Sequence, residues 1–266
     1  MRAKNKPPSA GGNESECYAV VLQSTLSTLN NRTGFRRITP GIEVLRSSFS
    51  LPRHRHFRAY ATVVLAGSLE ESGYVGRLRA TAGDVMIHPA LDCHANSFVS
   101  AGVKLIRLEW SDTDGEGGLY RLNDVDELAR VAENDVVDAA LLLKQILSRR
   151  SPPPPGRKED WPDLLAITLA QNASMEIGDW AEVNGLARET VSRGFAAAYD
   201  VAPTVFQAEL RARTAWLRIT RGSDGLCRIA AETGFADQSH MTRWISRITG
   251  SPPGAWRRNP TLFEHG

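Results

Sequence analysis

The chain has 266 residues, 42% hydrophobic and 23% charged, with a net charge of +2 at pH 7. That length suits two domains with real cores, and apolar runs no longer than 139–143 exclude a bilayer-spanning helix and a membrane partner. Three widely spaced cysteines, Cys17, Cys93 and Cys227, exclude a disulfide framework and fit a reducing cytoplasm, with the thiols expected as small buried hydrophobes.

Residues 1–16 carry basic groups with no apolar segment behind them, so a flexible tail is expected rather than a signal peptide. Residues 17–120 read as short strands. Ile42, Val44 and Leu45 open a β-prone stretch, and apolar clusters at 60–66, 85–87 and 103–108 alternate with turns at Gly67, Gly73, Gly76, Gly83 and Gly102. Such spacing predicts a small barrel or jelly roll. His54 and His56 alternate, so on a strand they share a face. His88 and Cys93 stand outside that pattern. No Gly-rich phosphate loop and no Gly-x-Ser-x-Gly elbow occurs, and no catalytic residue is assigned.

The period then changes. Leu122, Val125, Leu128, Ala129, Val136, Ala139, Ala140, Leu143, Ile146 and Leu147 predict one or two amphipathic helices over 121–150, packed on the barrel or facing a second copy of the chain. A Ser-Pro-Pro-Pro-Pro-Gly run marks 151–160 as a semi-rigid linker.

Residues 161–266 read as helical throughout, starting at Trp161-Pro162. Ile177, Trp180, Ala181 and Val183 form a first short helix. Gly185 makes a turn, and Thr190, Val191 and Phe195 anchor the next helix. A connecting helix starts at Pro203. Leu226, Ile229 and Ala230 repeat the pattern, Gly234 stops that helix, Asp237 and Ser239 can cap the next, and Met241, Trp244, Ile245 and Ile248 form its apolar stripe. Each pair fits a helix-turn-helix, whose second helix can lie in a major groove. The polar faces carry Arg188, Glu189, Thr190, Ser192 and Arg193 in the first unit. Gln238, Ser239, His240, Thr242, Arg243 and Arg247 carry the second, and these side chains suit base edges and phosphates. Gly194, inside the first of these helices, costs about 1 kcal/mol against alanine. Between Arg188 and Arg258 eleven arginines face six acids, an excess that favours phosphate contact.

The run Ile229-Ala230, Gly234-Phe235, Asp237, Ser239-His240, Arg243, Gly250, Pro253, Arg257 resembles, in order and spacing, the closing signature of AraC/XylS-type transcription regulators. The first unit resembles the family's first reading unit, with Ala197 and Ala198 at usually basic positions and Asp200 replacing the usual glycine. The N-terminal part resembles a cupin barrel: His54-x-His56 with Gly67, then Gly83, Pro89 and His94. In metal-binding cupins the counterparts of His54, His56 and His94 hold the ion. Here Tyr60 stands where a glutamate ligand is usual and Leu91 where a glycine is.

The resemblance therefore implies an all-β cupin-like barrel followed by an all-α C-terminal domain with two helix-turn-helix units. It implies a cytoplasmic, ligand-responsive regulator, an activator by family habit, with promoter DNA, RNA polymerase, a small-molecule effector and a second copy of the chain as partners. His54, His56, Tyr60 and His94 are the ligand-pocket candidates, and the three histidines the metal candidates. No resident cofactor is expected, because the carboxylate ligand is lost. A metal-dependent cupin enzyme fused to a DNA-binding domain is the competing expectation, and a helical scaffold that never touches DNA leaves the arginine-rich faces unexplained.

Overall fold

A computed structural model describes residues 35–45, 48–98, 102–111, 117–148, 160–260 and 262. The tail expected over 1–16, Cys17 and nearly all of the proline-rich run lie outside the described residues. The chain forms an N-terminal β-rich domain and a C-terminal helical domain. Among the described residues, no helix is long and apolar enough to cross a membrane.

Nine strands follow one another: β1 (Gly41–Leu45), β2 (Phe49–Arg55), β3 (Tyr60–Ala66), β4 (Ser68–Gly73), β5 (Gly76–Thr81), β6 (Asp84–His88), β7 (Cys93–Phe98), β8 (Val103–Glu109) and β9 (Gly118–Arg121). They form two antiparallel sheets, one in the order β1-β8-β3-β6-β9 and one in the order β2-β7-β4-β5. The expected barrel is thus two facing sheets and not one closed cylinder. Gly67 and Gly83, both at positive φ, carry the chain between sheets, from β3 to β4 and from β5 to β6. Period-two alternation then sorts the side chains. Val64, Leu69, Met86, Phe98 and Leu105 fill the space between the sheets. Ala61, Val63, Val85, Ile87, Ile106 and Leu108 face outward from the five-stranded sheet and meet two helices.

Those helices are α1 (Asp126–Asn134) and α2 (Val136–Leu147). Leu128, Ala132, Ala139, Leu143 and Leu147 bury their stripe on the sheet, so packing on the β-rich domain accounts for it. The opposite face of α2 leaves Val137 and Leu141 exposed, at 64% and 58%.

The helical domain comprises α3 (Trp161–Gln171), α4 (Ile177–Val183), α5 (Arg188–Tyr199), α6 (Pro203–Arg221), α7 (Leu226–Glu232), α8 (Gln238–Thr249) and α9 (Pro253–Arg258). Its core has two lobes on either side of α6. Phe195, Tyr199 and Phe206 pack with α3 and α4, while Trp216, Ile229, Met241, Ile245 and Trp256 pack together at the other end. Thr190, expected as an anchor, is exposed; Val191 and Phe195 anchor α5.

The two domains share a packed interface. On the outer face of β2, Arg53 and Arg55 reach Glu209 of α6, and all three side chains are at most 10% exposed. Arg77 of β5 bonds Asp163 and Asp160 at the start of α3, and Tyr74 packs edge-on against Phe206. Breaking a buried pair from one side leaves an uncompensated charge, at a cost of about 3–5 kcal/mol. Glu209→Ala is therefore expected to lower the unfolding midpoint in denaturant by a corresponding amount. A change under about 1 kcal/mol would show that the triad behaves like a surface ion pair.

Gly194 has a reason that its helix propensity does not suggest. A Cβ built there would lie 2.8 Å from Cη2 of Trp161, because the indole of α3 rests on the helix at that point. Gly194→Ala is expected to destabilise by about 1–3 kcal/mol through overpacking, opposite in sign to the propensity gain. Thermal melts of the two proteins check this, and a more stable alanine variant would show that the indole moves aside without cost.

Candidate nucleic-acid interface and the buried histidine cluster

The two helix pairs, α4–α5 and α7–α8, turn at Gly185 and Gly234, at φ +65° and +78°. Both glycines hold the left-handed conformation that stops a helix without a Cβ penalty. Asp237 alone caps α8, its carboxylate accepting from the His240 amide at 2.6 Å; Ser239 is the second residue of the helix and is exposed. Arg211 of α6 ties the two lobes together. Its Nη1 donates to the Gly234 carbonyl at 2.8 Å, and its Nε donates to Ala173, in the loop before α4.

Arg188, Glu189, Thr190, Ser192 and Arg193 are exposed along the start of α5, and Gln238, Ser239, Arg243 and Arg247 along α8, with Thr242 half-buried. Four candidates have internal partners, Gln238 among them through the Cys227 thiol. The Arg188 guanidinium lies over Gly178 of α4. His240 accepts from the Trp244 indole at 3.1 Å and is half-buried, a structural role that the sequence did not reveal. Arg247 stacks over the Trp244 ring at 4.9 Å. Asp200, where the sequence pattern leads one to expect glycine, does hold a left-handed φ of 55°, and its carboxylate accepts from the Arg53 amide at 3.3 Å.

The positive excess of the helical domain is partly consumed inside it. Arg218 pairs with Asp224 and Glu232, and Arg228 with Glu232. Arg213 donates to the Ala90 carbonyl. What remains on the exposed faces of α5 and α8 is Arg188, Arg193, Arg243 and Arg247.

Cys227 is exposed rather than buried, and its thiol donates to Gln238 Oε1 at 2.9 Å. Cys93 is buried, and desolvation pushes its thiol up to about 11. Alkylation follows the exposed thiolate. Iodoacetamide at pH 8 should therefore label Cys227 and spare Cys93 until the protein is unfolded, as read by peptide mass spectrometry. Equal labelling of both would mean that β7 opens readily.

Inside the β-rich domain, His54 pairs across the sheet with His94, and Tyr60 with His88. The rings of His54, His56 and His94 lie within 5.4 Å of one another, centre to centre. His54 Nδ1 is 2.9 Å from the Pro52 carbonyl and His56 Nδ1 is 2.8 Å from the Arg36 carbonyl. A carbonyl only accepts, so both rings carry their proton on Nδ1 and a lone pair on Nε2. Burial, reinforced by neighbouring His94, pushes His54 down to about 2 and His56 well below its usual range, so both are neutral. His94 differs. Burial opposes its charge, but Glu71 and Asp92 raise its pKa. Asp92 is held well below its usual range despite burial, because His88 and His94 bond it. The Tyr60 hydroxyl lies 3.1 Å from His94 Nε2.

The sequence candidates His54, His56, Tyr60 and His94 therefore do come together. Glu71, His88 and Asp92 join them without having been singled out. Two groups here have metal-ligand geometry, His54/His56/His94 and Glu71/His88/Asp92/His94. The internal cavity beside them is about 30 Å³, room for a water or a small ion. A larger cleft of about 600 Å³ lies between the domains, with Glu71, His88 and Asp92 on one wall and Leu210, Arg213 and Leu217 of α6 on the other. Leu91 also keeps its motif's backbone: it is buried at a φ of 59°, the left-handed conformation expected of the missing glycine.

A family model described as a helix-turn-helix domain matches residues 180–259. A putative AraC-like transcription regulator of Streptomyces lividans is 27% identical over 89 residues, which cover 34% of this chain and 29% of that protein. Among solved structures, ToxT of Vibrio cholerae with a bound unsaturated fatty acid aligns over 82% of this chain and 94% of its own, at 10% identity and a TM-score of 0.38. The DNA-binding domain of AdpA, in complex with a target DNA, aligns over 38% of this chain and 98% of its own, at 19% identity and a TM-score of 0.36. Residues 180–259 thus form a helix-turn-helix domain, and the chain is similar over about a third of its length to a putative AraC-like transcription regulator.

Proposed function

We propose that the chain is a sequence-specific, ligand-responsive transcription regulator whose helical domain, 161–266, reads promoter DNA through two helix-turn-helix units. The observation that carries this reading is the pair of glycine-turned helix pairs held at the two ends of α6, a 19-residue helix. At 1.5 Å per residue it spans about 28 Å, near the ~34 Å repeat of one DNA face. Arg211, bonded to both lobes, supports a fixed spacing between α5 and α8.

The β-rich domain, 17–120, acts as the cupin-like sensor. The cavity beside His54, His56 and His94, about 30 Å³, is too small for an organic substrate at those three histidines, and the helix-turn-helix match favours a regulator over a metal-dependent cupin enzyme. The interdomain cleft, about 600 Å³, lies in the size range of small-molecule sites and supports an organic effector there. The exposed Val137 and Leu141 face of α2 supports a homodimer contact through 121–150, with 151–160 as the linker. Action as an activator through RNA polymerase in the cytoplasm rests on the family resemblance.

The two reading helices are not equal. Asp237 caps α8 through its side chain, whereas α5 begins at Ala187 without a side-chain cap, and Ala197 and Ala198 replace flanking bases. Arg243→Ala is expected to weaken operator binding more than Arg193→Ala, with about 1–3 kcal/mol of base discrimination lost at Arg243. An arginine that meets only phosphate lowers affinity on every sequence and reduces the salt slope by about one. Operator and random-DNA affinities of both full-length variants across a salt series decide the matter. A larger loss at Arg193 would reverse the ranking, and no loss of operator affinity in either variant would remove the DNA-reading assignment.

A further inference from the structure

Four side chains that the sequence scatters over 24 positions converge at the wall between the inner cavity and the interdomain cleft. Glu71 comes from β4, His88 ends β6, Asp92 lies in the turn that follows, and His94 is on β7. One ligand atom from each lies within 4.8 Å of all the others. Asp92 Oδ2 is 3.3 Å from Nδ1 of His88 and 3.3 Å from Nδ1 of His94. Glu71 Oε1 is 3.6 Å from Nδ1 of His88. Nitrogen and oxygen atoms bound to one tetrahedral ion, each at about 2.0–2.2 Å, stand roughly 3.3–3.6 Å apart. Three of the six pairs already have that spacing, and the remaining pairs, at up to 4.8 Å, need to close by about an ångström or less around an ion.

The chemistry agrees with the spacing. Two carboxylates and two neutral imidazoles balance a divalent ion, and this mixed nitrogen and oxygen set suits zinc and its first-row neighbours. The groups behind the ligands are placed to orient them. Asn96 donates to Glu71 Oε2 at 2.8 Å, which leaves Oε1 toward His88. The Tyr60 oxygen, 3.1 Å from His94 Nε2, can accept that nitrogen's proton and so turn Nδ1 toward Asp92. Outer partners of this kind fix the tautomer and the ring orientation of metal-bound histidines. Asp92, 12% exposed, and its neighbours on the cleft wall provide the way in.

We propose that Glu71, His88, Asp92 and His94 bind one divalent transition-metal ion. This set shares only His94 with the His54/His56/His94 group, and it leaves His54 and His56 outside the coordination shell. On binding, the ion displaces the protons that His88 and His94 hold toward Asp92. The site stands independently of the DNA-reading assignment.

The test uses the full chain, stripped with a chelator and dialysed. Zn²⁺ is titrated calorimetrically, and Co²⁺ is followed by its visible absorption, which is intense for four-coordinate nitrogen and oxygen ligation. We expect one ion per chain and the four-coordinate cobalt spectrum in the native protein. His88→Ala and Asp92→Asn should each weaken zinc binding by about 100-fold or more, while His56→Ala, which removes an Nδ1 bonded to the Arg36 carbonyl and not to a ligand, changes it by less than about tenfold, below the 10–100-fold cost of losing an outer-shell partner. Circular dichroism establishes that each variant is folded, and if a variant is not, the cobalt spectrum of the native chain decides alone. Absence of a stoichiometric ion or of the four-coordinate spectrum in the native chain overturns the proposal. So does loss of the ion in folded His56→Ala with retention in His88→Ala, which would move it to the His54/His56/His94 group.

Discussion

Glu209 lies between two arginines of β2, and the way the two domains meet depends on that buried triad. Carrying three charges out of water is expensive, and the cost is offset only when geometry and hydrogen bonding are nearly complete. Here Arg53 holds one carboxylate oxygen through both Nε and Nη2, and Arg55 holds the other. The guanidinium of Arg53 also lies 5.1 Å above the Phe206 ring and 5.5 Å from that of Tyr74, a favourable placement for a desolvated cation. The constraint is local in sequence and long in reach. It fixes β2 against α6, and α6 carries both helix pairs.

The same strand faces the histidine cluster. Alternation along β2 sends Arg53 and Arg55 toward the helical domain and His54 into the interior. The ladder shifts register between Leu51 and His54, around Pro52, which has no amide proton to give. Its carbonyl accepts from His54 instead. Cys93, between Asp92 and His94, touches the Arg55 guanidinium at 3.6 Å. A change in the position of β7 at the cluster is therefore one residue away from the charge triad. Packed interiors do not deform smoothly, so the geometry connects the histidine cluster to the helical domain through two adjacent strands.

On the reading side, the division of labour among arginines matters more than their number. Arg211, Arg213, Arg218 and Arg228 are structural, bonded to carbonyls or acids within the fold. Arg193 and Arg243 stay on the exposed faces of α5 and α8. Net charge is a weak guide to the surface because several of the cationic groups stabilise the scaffold that presents the exposed ones. His240 shows the same thing at one position: its motif location suggested a base contact, yet its ring accepts from Trp244 and packs edge-on against Phe235.

The sequence by itself determined the helix pairs and the change from strand to helix near 121, because these depend on short-range periodicity, glycine turns and caps that act within a few residues. It also located His54 and His56, since a His-x-His alternation is local, and His94 through the cupin resemblance. It did not show that Gly194 makes room for Trp161, that Leu91 and Asp200 keep left-handed backbones without glycine, or that Cys227 is exposed. Nor did it show that Glu71, His88 and Asp92 join the histidines, or that Glu209 unites the domains. Those facts rest on strand pairing and interdomain packing between residues as far apart as 53 and 209, whose energies exist only once the chain has brought them into contact and excluded water. Local pattern chose the elements, and desolvated long-range contacts decided which side chains became chemistry and which became structure.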